Sequence, residues 1–472
     1  MIRAITERAI MPGASGHISS AVAVLFLVTA TALLIWPDAA GLIALLVVAL
    51  IAGTFGAFWL SRSPGVAVAA MITASAMPRL FVEIGGLKAR PEHLVCGLMV
   101  FLVPFWWRHR PEPVKWHKFD YILVAYLGMQ VFSSAVMSID PMQTIKWAVQ
   151  QIIVVMAYFL LRILLVDKAS FRRAFDALLM VGMLASIYAI VSFYSNLWFG
   201  TDFGVQLDQY GTTPATYGAQ FEANLLGSTC GATCAMMLMM FLRTKERKYL
   251  LGFSITFTAM AISLSRGALA GSLLALALVA YRNQSHFDRA RVGRLALAML
   301  GITIVVAPAI YGIWSERFST VEISDLSSDD TTRDRLVTVA LAGEGIAEHP
   351  LAGNGTSSYQ LQYTDEAFGE ADQPGWIPNT ETRILYDTGV MGFGLFIAFC
   401  WFLGARVKRL LKKTPVLELE ALVLAFAVYC VSFQFTEGTL LAFTWVHLGL
   451  IACAIDLFKI ADGTEQKADL PA

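Results

Sequence analysis

Charge is scarce in this 472-residue chain: Asp, Glu, Lys and Arg make up 15% of it, while 57% is hydrophobic. That leaves too little polar surface for a soluble protein of this size. Neither sign is in excess, because 35 basic side chains meet 35 acidic ones. No basic face interleaved with aromatics stands out, so a nucleic-acid partner is excluded. Cysteine is equally sparse. Cys96, Cys230, Cys234, Cys400, Cys430 and Cys453 all fall in apolar runs, which excludes a disulfide framework in outer loops. Cys230 and Cys234 are one helical turn apart, but no His or carboxylate shares their face, so no metal site and no cofactor are expected.

What the chain does have is a succession of apolar windows of about 17–25 residues, enough for a helix to cross a ~30 Å hydrocarbon core. β-Barrel strands are shorter and alternate in polarity, so the fold class expected is an all-α integral membrane protein with about 12–14 transmembrane helices. About fourteen spans are centred near Phe26, Val47, Ala70, Gly97, Ala125, Val155, Ala185, Met236, Thr256, Ala275, Val305, Phe396, Ala425 and Leu448. With the N-terminus inside, about 25 of the 35 Lys and Arg fall in inner segments. Both termini are then cytoplasmic, and the polar stretch from Glu316 to Arg383 faces outward. Arg3 and Arg8 precede the first apolar run, which lacks a small-residue cleavage site and is taken as a retained helix. The expected division is 1–312 for the first eleven or so spans, 313–384 for the large outer loop with amphipathic helices, 385–457 for the last spans, and 458–472 for a cytoplasmic tail.

Polar groups inside this pattern are the candidates for chemistry, since an arginine at mid-bilayer costs about 2.5–3.5 kcal/mol without a partner or water. Arg266 lies in an apolar run broken only by a tight turn at Ser265 to Gly267. It reads either as a snorkelling anchor or as a fixed cation for an anionic head group. The loop from Trp198 to Asn224 has no Lys or Arg; Tyr217, Glu222 and Asn224 suit sugar contact by stacking and hydrogen bonding, or ordinary solvation. In the long loop, Asp325 to Asp330 reads as a solvated acidic turn. A helix capped by Thr331 or Thr332 follows, with Leu336, Val337, Ala340 and Leu341 as its apolar face, ending before His349-Pro350. Gly353 and Gly355 then call for a flexible backbone around Asn354. Glu381, Arg383 and Asp387 enter the membrane surface together at the start of the next span.

Three stretches carry a resemblance. Ile262 to Gly271 contains a Ser-Arg-Gly helix turn, Glu348 to Gly355 reads His-Pro-Leu-Ala-Gly-Asn-Gly after its glutamate, and Pro378-Asn-Thr leads to Asp387-Thr-Gly-Val-Met-Gly392. Gly218 to Gly227 adds a weaker pattern ending in Asn and Gly. Together, and in this order, they resemble the O-antigen ligase and O-antigen polymerase family of bacterial membrane glycosyltransferases.

The resemblance implies a C-type glycosyltransferase-like fold and transfer of glycan from an undecaprenyl diphosphate carrier to an acceptor hydroxyl, at the periplasmic face of the inner membrane. It implies an inverting, metal-independent reaction in which cations hold the diphosphate and a base activates the acceptor. It assigns Arg266 to the diphosphate; position adds Arg383, Arg335 and Arg333. Glu222, Asn224, Tyr217 and Asn379 are expected at the sugar or acceptor. Where the ligases have His before Asn, this chain has Pro378, and the family's arginine before Gly218 is missing, with Thr216 and Tyr217 in its neighbourhood. Glu381, one helical turn beyond Pro378, is the expected substitute base, with Asp387 and His349 as rivals.

Loss of the histidine favours a repeat-unit polymerase for O-antigen or exopolysaccharide. A ligase acting on lipid A core or protein is the alternative within the class, and a polytopic transporter or flippase the alternative outside it. The partners expected are the lipid-linked oligosaccharide, an acceptor glycan, the bilayer and a chain-length regulator protein.

Overall fold

The computed structural model describes residues 63–84, 87–207, 214–319, 330–363 and 376–458. The expected spans near Phe26 and Val47, the retained N-terminal helix, most of the acidic turn and the C-terminal tail lie outside the described residues. The remaining twelve span centres each fall within a helix. These are α1 (Pro64–Ser75), α2 (Pro91–His109), α3 (Lys118–Val136), α4 (Pro141–Leu164), α5 (Lys168–Phe199), α6 (Ala223–Thr244), α7 (Arg247–Ile262), α8 (Arg266–Arg282) and α9 (Arg289–Ser319), then, after the polar segment, α12 (Thr380–Lys413), α13 (Leu417–Ser432) and α14 (Ala442–Leu457). The polar segment supplies α10 (Asp330–Glu348) and the single turn α11 (Tyr359–Gln362). Among the described residues, strand is confined to two small antiparallel hairpins, Val82–Ile84 with Leu87–Ala89 and Val205–Leu207 with Pro214–Thr216. The protein is an all-α integral membrane protein. Five of its described helices, α3, α4, α5, α6 and α12, are long and apolar enough to cross a bilayer on length and composition alone.

Local chemistry sets the helix ends. Asp140 caps α4 by accepting from the Gln143 amide at 3.1 Å, with Pro141 in the first turn where its missing N–H costs nothing. Asp167 and Ser170 form a reciprocal box at the start of α5, which ends on Gly200 in the left-handed conformation.

Helix α6 is buried almost throughout and packs against α7, α8 and α13. Glycine allows this approach: a Cβ on Gly227 would lie 2.7 Å from the Ala268 methyl, and one on Gly271 2.8 Å from the Val428 carbonyl oxygen. Lipid offers no hydrophobic drive between helices, so close small-residue packing is what holds this trio together. At the arginine-rich end of the bundle, buried Arg162 of α4 pairs with Asp120 of α3 and, at 2.7 Å, with Asp456 of α14. Tyr158 donates to the same Asp120 at 2.7 Å. Partners such as these offset much of the cost of burying the charge, and removing one of them would strand the others.

Helix α10 matches the helix expected before His349, but it packs on a different face. Leu336, Val337 and Ala340 are exposed and Leu341 half-buried, whereas Thr338, Ala342 and Gly345 are buried. The small residues turn inward because Gly345 lies against the Tyr386 ring, where a Cβ would come within 2.5 Å of Cε2. Apolar periodicity marked the greasy side of this helix; close approach to an aromatic selected the other one.

Candidate functional site

The Glu348 to Gly355 stretch and the Pro378 to Gly392 stretch fold into one unit. Helix α12 breaks at Gly389, whose backbone (φ 62°, ψ −171°) is open essentially to glycine alone. A break inside a membrane-length helix strands backbone groups that need partners, and the loop after α10 supplies them. The Val390 and Met391 amides donate to the carbonyls of Pro350 and Leu351 at 2.9 and 3.2 Å, while the Asn354 and Gly355 amides donate to the carbonyls of Tyr386 and Asp387 at 2.8 and 3.0 Å. Ser133 of α3 adds a hydroxyl to the Asp387 carbonyl at 2.7 Å. Gly353 and Gly355 hold positive φ, and a Cβ on Gly353 would meet the Asp387 carbonyl carbon at 2.5 Å. The Asn354 side chain points back to the Gly345 carbonyl at 2.9 Å. His349 sits at the end of α10, its amide donating to Gly345 and its carbonyl accepting from Gly353, a helix-terminating position.

Nearly two turns before the break, Arg383 is buried with its guanidinium spread over three acceptors. Nη1 bonds Asp387 Oδ2 at 2.8 Å, Nη2 bonds the Thr439 hydroxyl at 2.8 Å, and Nε forms an ion pair with Glu437 Oε2 at 3.0 Å. The other Asp387 oxygen accepts from the Ser357 amide at 3.0 Å. Arg383 and Asp387 thus face each other and Glu437 inside the protein.

The turn between α13 and α14, Phe433 to Leu441, is the hub that sequence reasoning missed. Gln434 donates to Glu381 Oε1 at 2.7 Å and accepts from Asn379, which in turn caps α12 through the Thr382 amide at 2.8 Å. Glu381 Oε2 is buried without a hydrogen-bond partner. Thr436 donates to Glu222, Glu437 pairs with Arg383, and the Leu440 carbonyl accepts from Arg90 at 3.0 Å. The available signal was a carboxylate and three polar side chains in a turn too short to need them for solvation; a reading that tallied only cations in loops passed over it.

Around this hub stand the residues of the first sites. Glu222 sits at the N-cap of α6, half-buried, within the electrostatic reach of Arg335 of α10. Burial raises its carboxyl to about 7, against the downward pull of Arg335. Two residues on, Asn224 accepts from the Ser265 hydroxyl at 2.6 Å, and Ser265 caps α8 through the Ala268 amide. Arg266 is the first residue of α8 and is exposed, following Leu264 in the left-handed conformation. Tyr217 is buried under Arg79, whose guanidinium carbon stands 3.5 Å from the ring centroid. An arginine therefore does reach the Gly218 neighbourhood, from the turn after α1 and so from a distant part of the chain. Arg333 lies in the first turn of α10. The structure thus places Glu222, Asn224, Tyr217, Arg266, Arg335, Asn379 and Glu381 at one end of the bundle, with Arg383 and Asp387 sealed just below.

Residues 251–397 match the family model for O-antigen ligase, which is consistent with an O-antigen ligase/polymerase family; the match runs from α7 through the break in α12. No curated protein matches the sequence. A chain from a structure described as "Structural coordination of polymerization and crosslinking by a peptidoglycan synthase complex" aligns at 14% identity over 72% of this chain and 96% of that one, with a TM-score of 0.37. So loose an overlap carries no functional argument.

Proposed function

We propose that this protein is a polysaccharide repeat-unit polymerase, which moves glycan from an undecaprenyl diphosphate carrier to an acceptor sugar hydroxyl at the periplasmic face of the bacterial inner membrane. The observation that carries this reading is the junction of α6 and α8. There Asn224 is bonded to Ser265, bringing exposed Arg266 and half-buried Glu222 to the same end of two helices packed through glycine, within a region that matches the O-antigen ligase family.

The proposed reaction displaces the lipid diphosphate from the anomeric carbon with inversion. Its growing negative charge calls for cations already in place, and planar guanidinium forks suit diphosphate oxygens. Arg266, Arg335 and Arg333 take that role, with Arg79 above Tyr217 as a further cation, and these arginines make a metal unnecessary. The acceptor hydroxyl must lose its proton as it attacks, and a base near neutrality is best suited. Glu222, raised to about 7 by burial, fits that need better than Asp387, which is engaged with Arg383 and Ser357. Glu381, oriented by Gln434 with its second oxygen unpartnered, holds the acceptor sugar, and Tyr217 and Asn379 border it. His349 and Arg383 serve the α12 break.

The test is to supply lipid diphosphate-linked repeat units to the purified protein and look for longer chains with release of the lipid diphosphate. No elongation of the producing organism's own repeat unit would overturn the reading. A deletion strain separates polymerase from ligase: accumulated single repeat units indicate the first, long chains left on the carrier the second.

A further inference from the structure

At the opposite end of the bundle, α12, α13 and α14 leave between them a cavity of about 640 Å³, well within the size range of ligand pockets. Its walls are hydrocarbon. Leu403, Val407 and Leu411 form a stripe on α12, faced by Val423, Leu424 and Phe426 of α13, and Leu448 and Ile451 of α14 close the floor. From Cys400 to Lys412 the lining runs about 18 Å along α12, at about 1.5 Å per residue. Midway, Gly404 presents no side chain, and a Cβ there would meet nothing within 4 Å.

The mouth is basic. Lys408 and Lys412, one turn apart on the lining face, are exposed, and among the described residues no carboxylate pairs with either. Arg406, Arg409 and Lys413 add to the charge of the same helix end. The acid at the mouth, Glu420, is already held by Arg282, with Arg243 at 3.6 Å. A long apolar groove under uncompensated ammonium groups at a helix end has the two halves of a lipid site: a slot for a chain and a seat for a phosphate.

We propose that this groove binds an anionic phospholipid, one acyl chain lying along α12 across Gly404 and the phosphate seated on Lys408 and Lys412. A zwitterionic lipid fits the slot equally well but brings an ammonium to a mouth that repels it.

The experiment is native mass spectrometry of the full protein in detergent, titrated with phosphatidylglycerol or phosphatidylcholine. Phosphatidylglycerol binds preferentially to the wild type. The double variant Lys408→Ala/Lys412→Ala, at exposed positions, weakens phosphatidylglycerol binding about 25-fold, about fivefold per lysine, and brings it to the level of phosphatidylcholine. Gly404→Trp fills the slot and lowers binding of both lipids while keeping every cation; Gly404→Leu replaces it if the tryptophan variant does not fold. Equal binding of the two lipids by the wild type overturns the proposal. So does phosphatidylglycerol binding that survives either set of variants, or a dimer mass showing that a second copy occupies the groove.

Discussion

Replacing Gly389 by alanine attacks the joint between α12 and the loop that mends it. The backbone there, φ 62° and ψ −171°, costs a residue with a Cβ about 1–3 kcal/mol. The added methyl would also lie 2.6 Å from the Ala352 amide nitrogen, so loop and helix must separate. Four backbone hydrogen bonds of 2.8–3.2 Å cross that seam. Losing two of them, with one buried group of each left unpaired at about 1–3 kcal/mol, brings the total to about 3–9 kcal/mol. Against a typical stability of about 5–15 kcal/mol, that is a large part of the whole. The assay is unfolding of the purified protein in detergent, followed by tryptophan fluorescence. Gly394→Ala is the control: it lies in the same helix, its Cβ would meet nothing within 4 Å, and alanine there stabilises by about 0.5–1 kcal/mol. Equal unfolding of Gly389→Ala and Gly394→Ala would refute the reasoning.

Three further outcomes are expected. If Glu222 is the base, it works only when deprotonated, so with its carboxyl raised to about 7 the rate of polymer formation climbs between pH 6 and pH 8, and Glu222→Gln loses about 10²–10⁴-fold together with that climb; an unchanged pH profile in the variant removes the residue from this role. Arg383→Ala leaves Asp387 and Glu437 buried without their cation and costs about 3–5 kcal/mol, seen as a lower unfolding midpoint, while Arg383→Ala/Glu437→Gln recovers part of the loss. Arg266→Ala and Glu381→Gln abolish polymer in cells while expression stays intact, and wild-type polymer from either variant withdraws that side chain from the site.

Much of the fold was legible because membrane insertion is written in one dimension. A helix that crosses hydrocarbon must satisfy its own backbone and be apolar over its length, so twelve expected centres fall in twelve helices. The candidate site was legible in parts. Ser265 and Arg266 announce themselves by interrupting an apolar run, and the glycines at 353, 355 and 389 by their spacing. The roles within the site were harder to read. Arg383 looked like a ligand group until its burial against Asp387 and Glu437 was visible, and nothing in the pattern showed that Asn379 also caps α12. Glu437 was passed over because one acid in a short turn carries no pattern.

The sequence by itself determined that this chain lives in a bilayer as a helical bundle, because that follows from the cost of placing polar groups in hydrocarbon. Only the tertiary structure decided that the loop from His349 to Gly355 mends a broken helix, that Arg79 stands over Tyr217, and that Glu222 feels the charge of Arg335. Those pairings join residues far apart along the chain, and burial together with close approach, which no linear pattern encodes, settles which charges face each other.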